Sequence, residues 1–401
     1  MSATLWLVLI AMLVQQTFVS LGKTIVPVIG PAMTRALGVE PALVGVFVAI
    51  AGTASTVSAA ACGPWIQHHG AMRISQISLL LVALGLVVAL VGWLPAIAIG
   101  AFILGIGTVM ATPASSEILS RYAPRDKAPL VFSLKQTGVP AGTMLAGIIG
   151  PLAVVLIGWQ GALMIVASAV LVLALLLQPL TRRFDRPGAG DRPAQKLSML
   201  AVMRATLVDP HLRHLALAQA AYVGLQNIFL TFFVTFMVVR LGHDLLTAGQ
   251  VFASAQLDAV FARVFWGWLG GRLNGTALLG LLGLAMAAVV ALLGFVTPAW
   301  PLPAVILVAC ALAGTAVSWH GLILSEIVRL SPAGMVGAMT GGVIAFGSAT
   351  AVLCPLVMTA ILTLTESYAL CFWLAAIPPA LAAIPLLRRG RVEAQKFSSM
   401  N

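Results

Sequence analysis

Residues 182–196 read RRFDRPGAGDRPAQK, a run rich in Pro, Gly and charge in a chain that is otherwise apolar almost throughout. Hydrophobic runs flank it on both sides. Six precede it, near 5–32, 42–66, 74–93, 96–120, 129–157 and 160–180, and six follow, near 214–240, 246–270, 276–297, 302–329, 334–364 and 367–387. Each exceeds or approaches the roughly 20 residues with which a helix crosses a bilayer core. The polar stretch over about 181–212 is therefore a connector between two sets of spans, not a domain of its own. The reading predicts a six-helix bundle over 1–180, a cytoplasmic linker over 181–212, a second six-helix bundle over 213–388 and a cytoplasmic tail over 389–401.

Composition points the same way. Of the residues, 61% are hydrophobic and 8% charged, with a mean hydropathy of +1.07, against about 25% charged in a soluble domain. Such a chain cannot be kept in water. The 38 Gly suit helices that approach closely in lipid. A spanning segment satisfies its backbone internally, and no alternating ten-residue pattern suggests a barrel, so an all-α membrane protein is expected. Cys62, Cys310, Cys354 and Cys371 lie inside or at the ends of apolar runs without metal or redox spacing. They read as packing residues, and no metal or cofactor is expected. Leu5 to Val14 resembles the core of a signal peptide, but no basic residue precedes it and Gln15 and Gln16 follow at once. It reads as the first half of a retained first helix.

A net charge of +11 would suggest nucleic acid in a soluble protein. Here the charge sorts by membrane side. One set of connections and tails carries Arg73; Arg121, Arg125 and Lys127; Arg182, Arg183, Arg186, Arg192, Lys196, Arg204 and Arg213; Arg272; Arg329; and Arg388, Arg389, Arg391 and Lys396. The opposite set holds Arg35 and Arg240. The positive-inside rule puts both termini in the cytoplasm and makes this a multi-pass protein of the inner (plasma) membrane, with the lipid bilayer and not a nucleic acid as its partner. A monomer is expected.

Matching features recur at an offset of 204 residues: Leu37-Gly38 as Leu241-Gly242, Gly63 as Gly267, Gly138 as Gly342 and Pro151 as Pro355. SEIL at 116–119 recurs as SEIV at 325–328, offset by 209. An even number of spans per half with the same charge orientation makes the repeats parallel, related by an axis along the membrane normal, an architecture with a cavity between two bundles.

The connection between spans two and three reads GPWIQHHGAMR, Gly63 to Arg73, and its counterpart reads FWGWLGGRLNG, Phe265 to Gly275. On these residues, and over its whole length, the chain resembles the major facilitator superfamily (MFS). The resemblance implies twelve transmembrane helices in two six-helix bundles related by pseudo-two-fold symmetry. It also implies that the two loops gate the cytoplasmic ends of the helices, through Gly63, Gly70 and Arg73 and through Gly267 and Arg272. Both loops lack the family's acid, for Gln67 and Gly271 stand in its place. Glu117, four residues before Arg121, and Glu326, three before Arg329, are candidates to supply replacement charges. In span five, GVPAGTMLAGIIGP (Gly138 to Pro151) resembles the family's Gly-rich antiporter motif with one residue missing; the stripe of Gly138 and Gly142 also reads as close packing.

A charge embedded in a span is costly enough to mark function by default. Asp258, central in span eight, is the one acid near the midplane and the candidate for proton coupling; the competing reading is a fixed ion pair between helices. Arg263 is about 140° round the helix from it, and reads as structural. Lys135, followed by Gln136, lies about 9 Å inside span five; it either meets Asp258 to close an inner gate or binds an anionic group. Gln16, Ser20 and Lys23 form a polar stripe on span one, mirrored on span seven by Gln219, Gln226 and Asn227, the repeat partner of Lys23. Span ten adds Trp319 and His320. In the family that the chain resembles, spans one, four, seven and ten line the cavity. These polar residues are the candidate substrate-binding set.

Two lysines against one acid favour a secondary active transporter that takes up a small organic anion, a carboxylate, with protons by alternating access. The alternative is efflux of a drug-like or amphiphilic metabolite against protons. A membrane enzyme or receptor is the third class, and HExxH, GxSxG, P-loop and metal-ligand patterns are all missing. The chain is therefore expected not to be an enzyme.

Overall fold

The computed structural model describes residues 3–124, 128–185, 199–330 and 336–398, and among these the regular structure is helical. The chain clusters into two compact units. The first holds α1 (Ala3–Leu37), α2 (Val44–His69), α3 (Ala71–Ala89), α4 (Leu94–Tyr122), α5 (Ala128–Gln136), α6 (Gly138–Leu176) and α7 (Gln178–Phe184). The second holds α8 (Met199–Val208), α9 (Pro210–Thr235), most of α10 (Leu245–Gly270), α11 (Gly275–Leu293), α12 (Leu302–Ala316), α13 (His320–Leu330), α14 (Val336–Thr365) and α15 (Tyr368–Ser398). Residues His243–Ala253, the start of α10, cluster with the first unit, where the sequence boundary assigns that span wholly to the second.

Among the described residues, 11 segments are long and apolar enough to cross a membrane. One of them, Leu134–Phe184, has 51 residues, about 75 Å as a straight helix and more than twice a bilayer core of about 30 Å. It is not straight, because Gly158 at φ 77°, ψ 173° breaks it where the sequence predicts the joint between spans five and six. Parts of the connector are helical among the described residues. α7 and α8 fall within it or at its edge, α8 packs on α9 and α14, and Asp209 caps α9 by accepting from His211 N–H at 2.7 Å and Leu212 N–H at 3.2 Å.

The repeat survives in the backbone. α3 and α11 have 19 residues each and start 204 apart, and Gly38 and Gly242 close the turns after α1 and α9 at φ +66° and +76°. Only glycine takes such angles without strain. Asp244 in the second of these turns accepts from Thr247 N–H at 2.9 Å and its hydroxyl at 2.6 Å, bonds that hold the carboxyl below the usual carboxylate range.

Small residues set the packing in the first unit. α1 lies against α6, α2 against α4, and α3 between α4 and α6. Gly142 of α6 meets the Thr17 carbonyl of α1, and a Cβ there would also sit 2.8 Å from Leu21 N. The glycine stripe of span five is thus a packing seam. Gly142→Leu must push the two helices apart, an overpacking that costs about 1–3 kcal/mol. A lower melting temperature in detergent is the expected result; a protein that melts like wild type contradicts the seam.

Candidate functional site

In α1 every residue from Val19 to Pro31 is buried except Lys23, which is exposed midway along the helix. Charge at that depth without burial means an accessible space beside the helix. Ser20 and Thr24 flank it, buried. Toward the Arg-rich end, Gln16 Oε1 accepts from the Thr112 hydroxyl of α4 at 3.3 Å. Gln15 is wholly buried, with neither amide atom partnered among the described residues. Lys135 is wholly buried too, its Nζ equally without a partner among them.

The two lysines do not converge. Gly138 packs at Leu13 to Thr17 and Gly150 at Ile25 to Ile29, so α1 and α6 run parallel in register. That register puts Lys23 level with about residue 146, some eleven residues and about 16 Å beyond Lys135. Gln136 is half-buried beside it.

In the second unit, Gln219 of α9 is buried with Nε2 against Gly347 of α14. Gln226 Oε1 has no partner among the described residues, while Asn227 turns its amide onto its own helix, donating to Val223 O at 2.9 Å. A cavity of about 460 Å³ lies between α9, α14 and α15, but its walls are apolar, Leu225, Leu353 and Leu374 among them, and none of the polar candidates lines it.

Span ten departs most from expectation. It is not one helix: it breaks at Val317–Trp319, between α12 and α13. A break frees backbone carbonyls, which lipid cannot satisfy. Side chains do so instead. Trp266 Nε1 donates to Gly314 O at 2.8 Å, Trp319 Nε1 to Ala316 O at 2.9 Å and Arg263 Nη2 to Val317 O at 2.8 Å. Ser318 returns a bond to Ala259 O of α10 at 3.0 Å. Arg263 thus braces the break. Trp319 is wholly buried, in a T-shaped contact with Tyr222 and stacked on His320 at 4.0 Å, so packing encloses it. His320 Nδ1 has no partner among the described residues. One turn from the break, the half-buried Asp258 carboxyl faces Gly314, where a Cβ would lie 2.7 Å from Oδ2. It has no ion pair among the described residues.

The family model of the Major Facilitator Superfamily matches residues 8–341. The chain belongs to that superfamily. Two solved structures share its fold, both of a bacterial homolog to the human lysosomal transporter Spinster. The inward-facing, unoccupied form is 17% identical and the occupied form 16%, each with a TM-score of 0.71 over 97% of this chain and 96% of the other. A search of curated proteins finds no match. As an MFS member the chain is a multi-pass membrane transporter that binds a small solute, and not an enzyme.

Carboxylates from other elements sit at the starts of α3 and α11. Asp185, just after α7, accepts from the backbone N–H groups of Met72 at 3.0 Å and Arg73 at 2.7 Å, at the start of α3. The carboxylate fills the space beside Gly70, whose φ of +90° bars a side chain. At the matching start of α11, Glu326 accepts from the Thr276 hydroxyl at 2.5 Å and pairs with Arg329 at 2.7 Å, closing on Gly275. Glu117 instead makes an exposed pair with Arg121 at 3.2 Å, within its own helix. Arg272 lies over the Trp268 ring at 4.0 Å, and Gly267 has open space around it. The surroundings of Gly63 and Gln67 lie outside the described residues. Sequence reasoning missed Asp185, Trp266 and Gly314; the acid stands in the basic linker, more than a hundred positions from the amides it holds.

Proposed function

We propose that this MFS member is a secondary active transporter that takes up a small organic anion, a carboxylate, together with protons by alternating access. The observation that carries the reading is Lys23, an accessible cation on an otherwise buried stretch of α1. An ammonium held at that depth is costly without an anionic partner, and a carboxylate offers it charge-assisted hydrogen bonds. Ser20 and Gln16, on the same helix, are the polar groups that would order the rest of the solute. Asp258 supports the proton half: a carboxyl near mid-span, with no ion pair among the described residues, is free to exchange one proton per cycle.

Counting Leu134–Phe184 as two crossings that meet at Gly158 gives twelve spans. With an even count and Arg on one side, both termini are cytoplasmic, in the inner membrane. We read the transporter as a monomer.

Melting of the purified protein tests the solute class. A ligand at 100 times its Kd adds about 2.7 kcal/mol of stability. Mono- or dicarboxylates are expected to raise the melting temperature of the wild type but not of Lys23→Gln. Stabilisation by cationic amphiphiles alone, unaffected by Lys23, would turn the reading to efflux.

A further inference from the structure

The third span of each repeat begins at a glycine-lined turn, and a carboxylate from another element of the same unit sits on that start: Asp185 on α3, Glu326 on α11. The two starts are 204 residues apart, the repeat offset. The helices solve their capping differently. The N-cap of α11 is Asn274, which accepts from Ala277 N–H at 2.9 Å. The N-cap of α3 is Gly70, which has no side chain to offer, and its φ of +90° admits none without strain. Without another acceptor the N–H groups of Met72 and Arg73, at the positive end of the helix dipole, would have only water to pair with. Asp185 answers both needs, accepting those two N–H groups with a charged acceptor.

A second tie runs alongside. Gln76 of α3 donates to Ala174 O at 2.8 Å and Gln178 Oε1 at 2.6 Å, at the joint of α6 and α7. Phe184, next to Asp185, packs in one apolar cluster with Cys62, Ile66 and Met72. The α2–α3 turn is therefore fastened to α7 by a charge, an amide and a ring.

We propose that Asp185 is the positioning residue for the start of α3, its carboxylate supplying from the end of α7 the charged cap that Gly70 cannot. The part is electrostatic, so it follows the charge and not the residue that carries it.

Cys62 reports on this turn without any need to know the solute, since it is 3% exposed and lies in the same cluster. The full chain, with Cys310, Cys354 and Cys371 replaced by Ala, is reconstituted in liposomes and treated with N-ethylmaleimide. Asp185→Asn, which keeps the shape and loses the charge, is expected to speed alkylation of Cys62 about five- to tenfold, the worth of a charged cap. Asp185→Glu stays within about twofold of the parent. Should Asp185→Asn fail to fold, folded and slowly labelled Asp185→Glu supports the proposal equally. Equal rates in the parent and Asp185→Asn, or an Asp185→Glu that labels as fast as Asp185→Asn, overturns the proposal.

Discussion

Asp258→Asn is expected to abolish proton-driven accumulation of solute and to leave exchange of solute across the membrane intact. The carboxyl sits against Gly314, and an amide of nearly the same shape fills that place without disturbing the braced break next to it. No ion pair is lost, since Asp258 makes none among the described residues. Removing one partner of a buried pair would cost about 3–5 kcal/mol, so the variant is expected to melt close to the wild type. What it cannot do is bind and release a proton. Uptake against a gradient, followed with a labelled carboxylate in proteoliposomes, should fall to background, whereas counterflow between equal pools on the two sides continues. Accumulation at the wild-type rate rules out Asp258 as the coupling group; loss of both activities together with a lower melting temperature makes it structural.

Lys23→Gln is expected to raise the carboxylate concentration for half-maximal transport. A hydrogen bond to a charged group contributes about 1.5–3 kcal/mol, which is roughly ten- to a hundredfold in affinity. Lys23 is exposed amid buried neighbours, so trimming it opens no cavity and breaks no packing. Lys23→Arg keeps the charge and should recover most of the loss. The matching change at Lys135 serves as contrast. That side chain is wholly buried about 16 Å away along the helix, and Lys135→Gln is expected to act on stability and turnover rather than on half-saturation. Equal shifts at the two positions would sink the assignment of the solute to Lys23.

Much of the fold could be read from hydropathy, because lipid leaves the backbone one solution per span. The repeat could be read as well: a glycine needed at positive φ must recur wherever its turn recurs, and Gly38 and Gly242 do so. The break at Val317–Trp319 was hidden for a physical reason. Its residues carry no Pro or Gly, and the donors that make it tolerable, Arg263 and Trp266, come from another helix some fifty positions earlier. Trp319 reads as a lining residue from its place in span ten, and only packing reveals that Tyr222 and His320 enclose it. Asp185 was masked by its setting, an acid among arginines in a linker. The embedded charges stood out at once, since each is an exception to the composition around it.

Proton flux through the purified protein tests the central claim most directly. Proteoliposomes carrying a pH-sensitive dye inside are given an inward proton gradient and external mono- or dicarboxylates. The account predicts acidification of the lumen that requires both a carboxylate and Asp258. A lumen that ignores every carboxylate, yet acidifies as preloaded cationic amphiphiles leave, contradicts it and makes the protein an exporter.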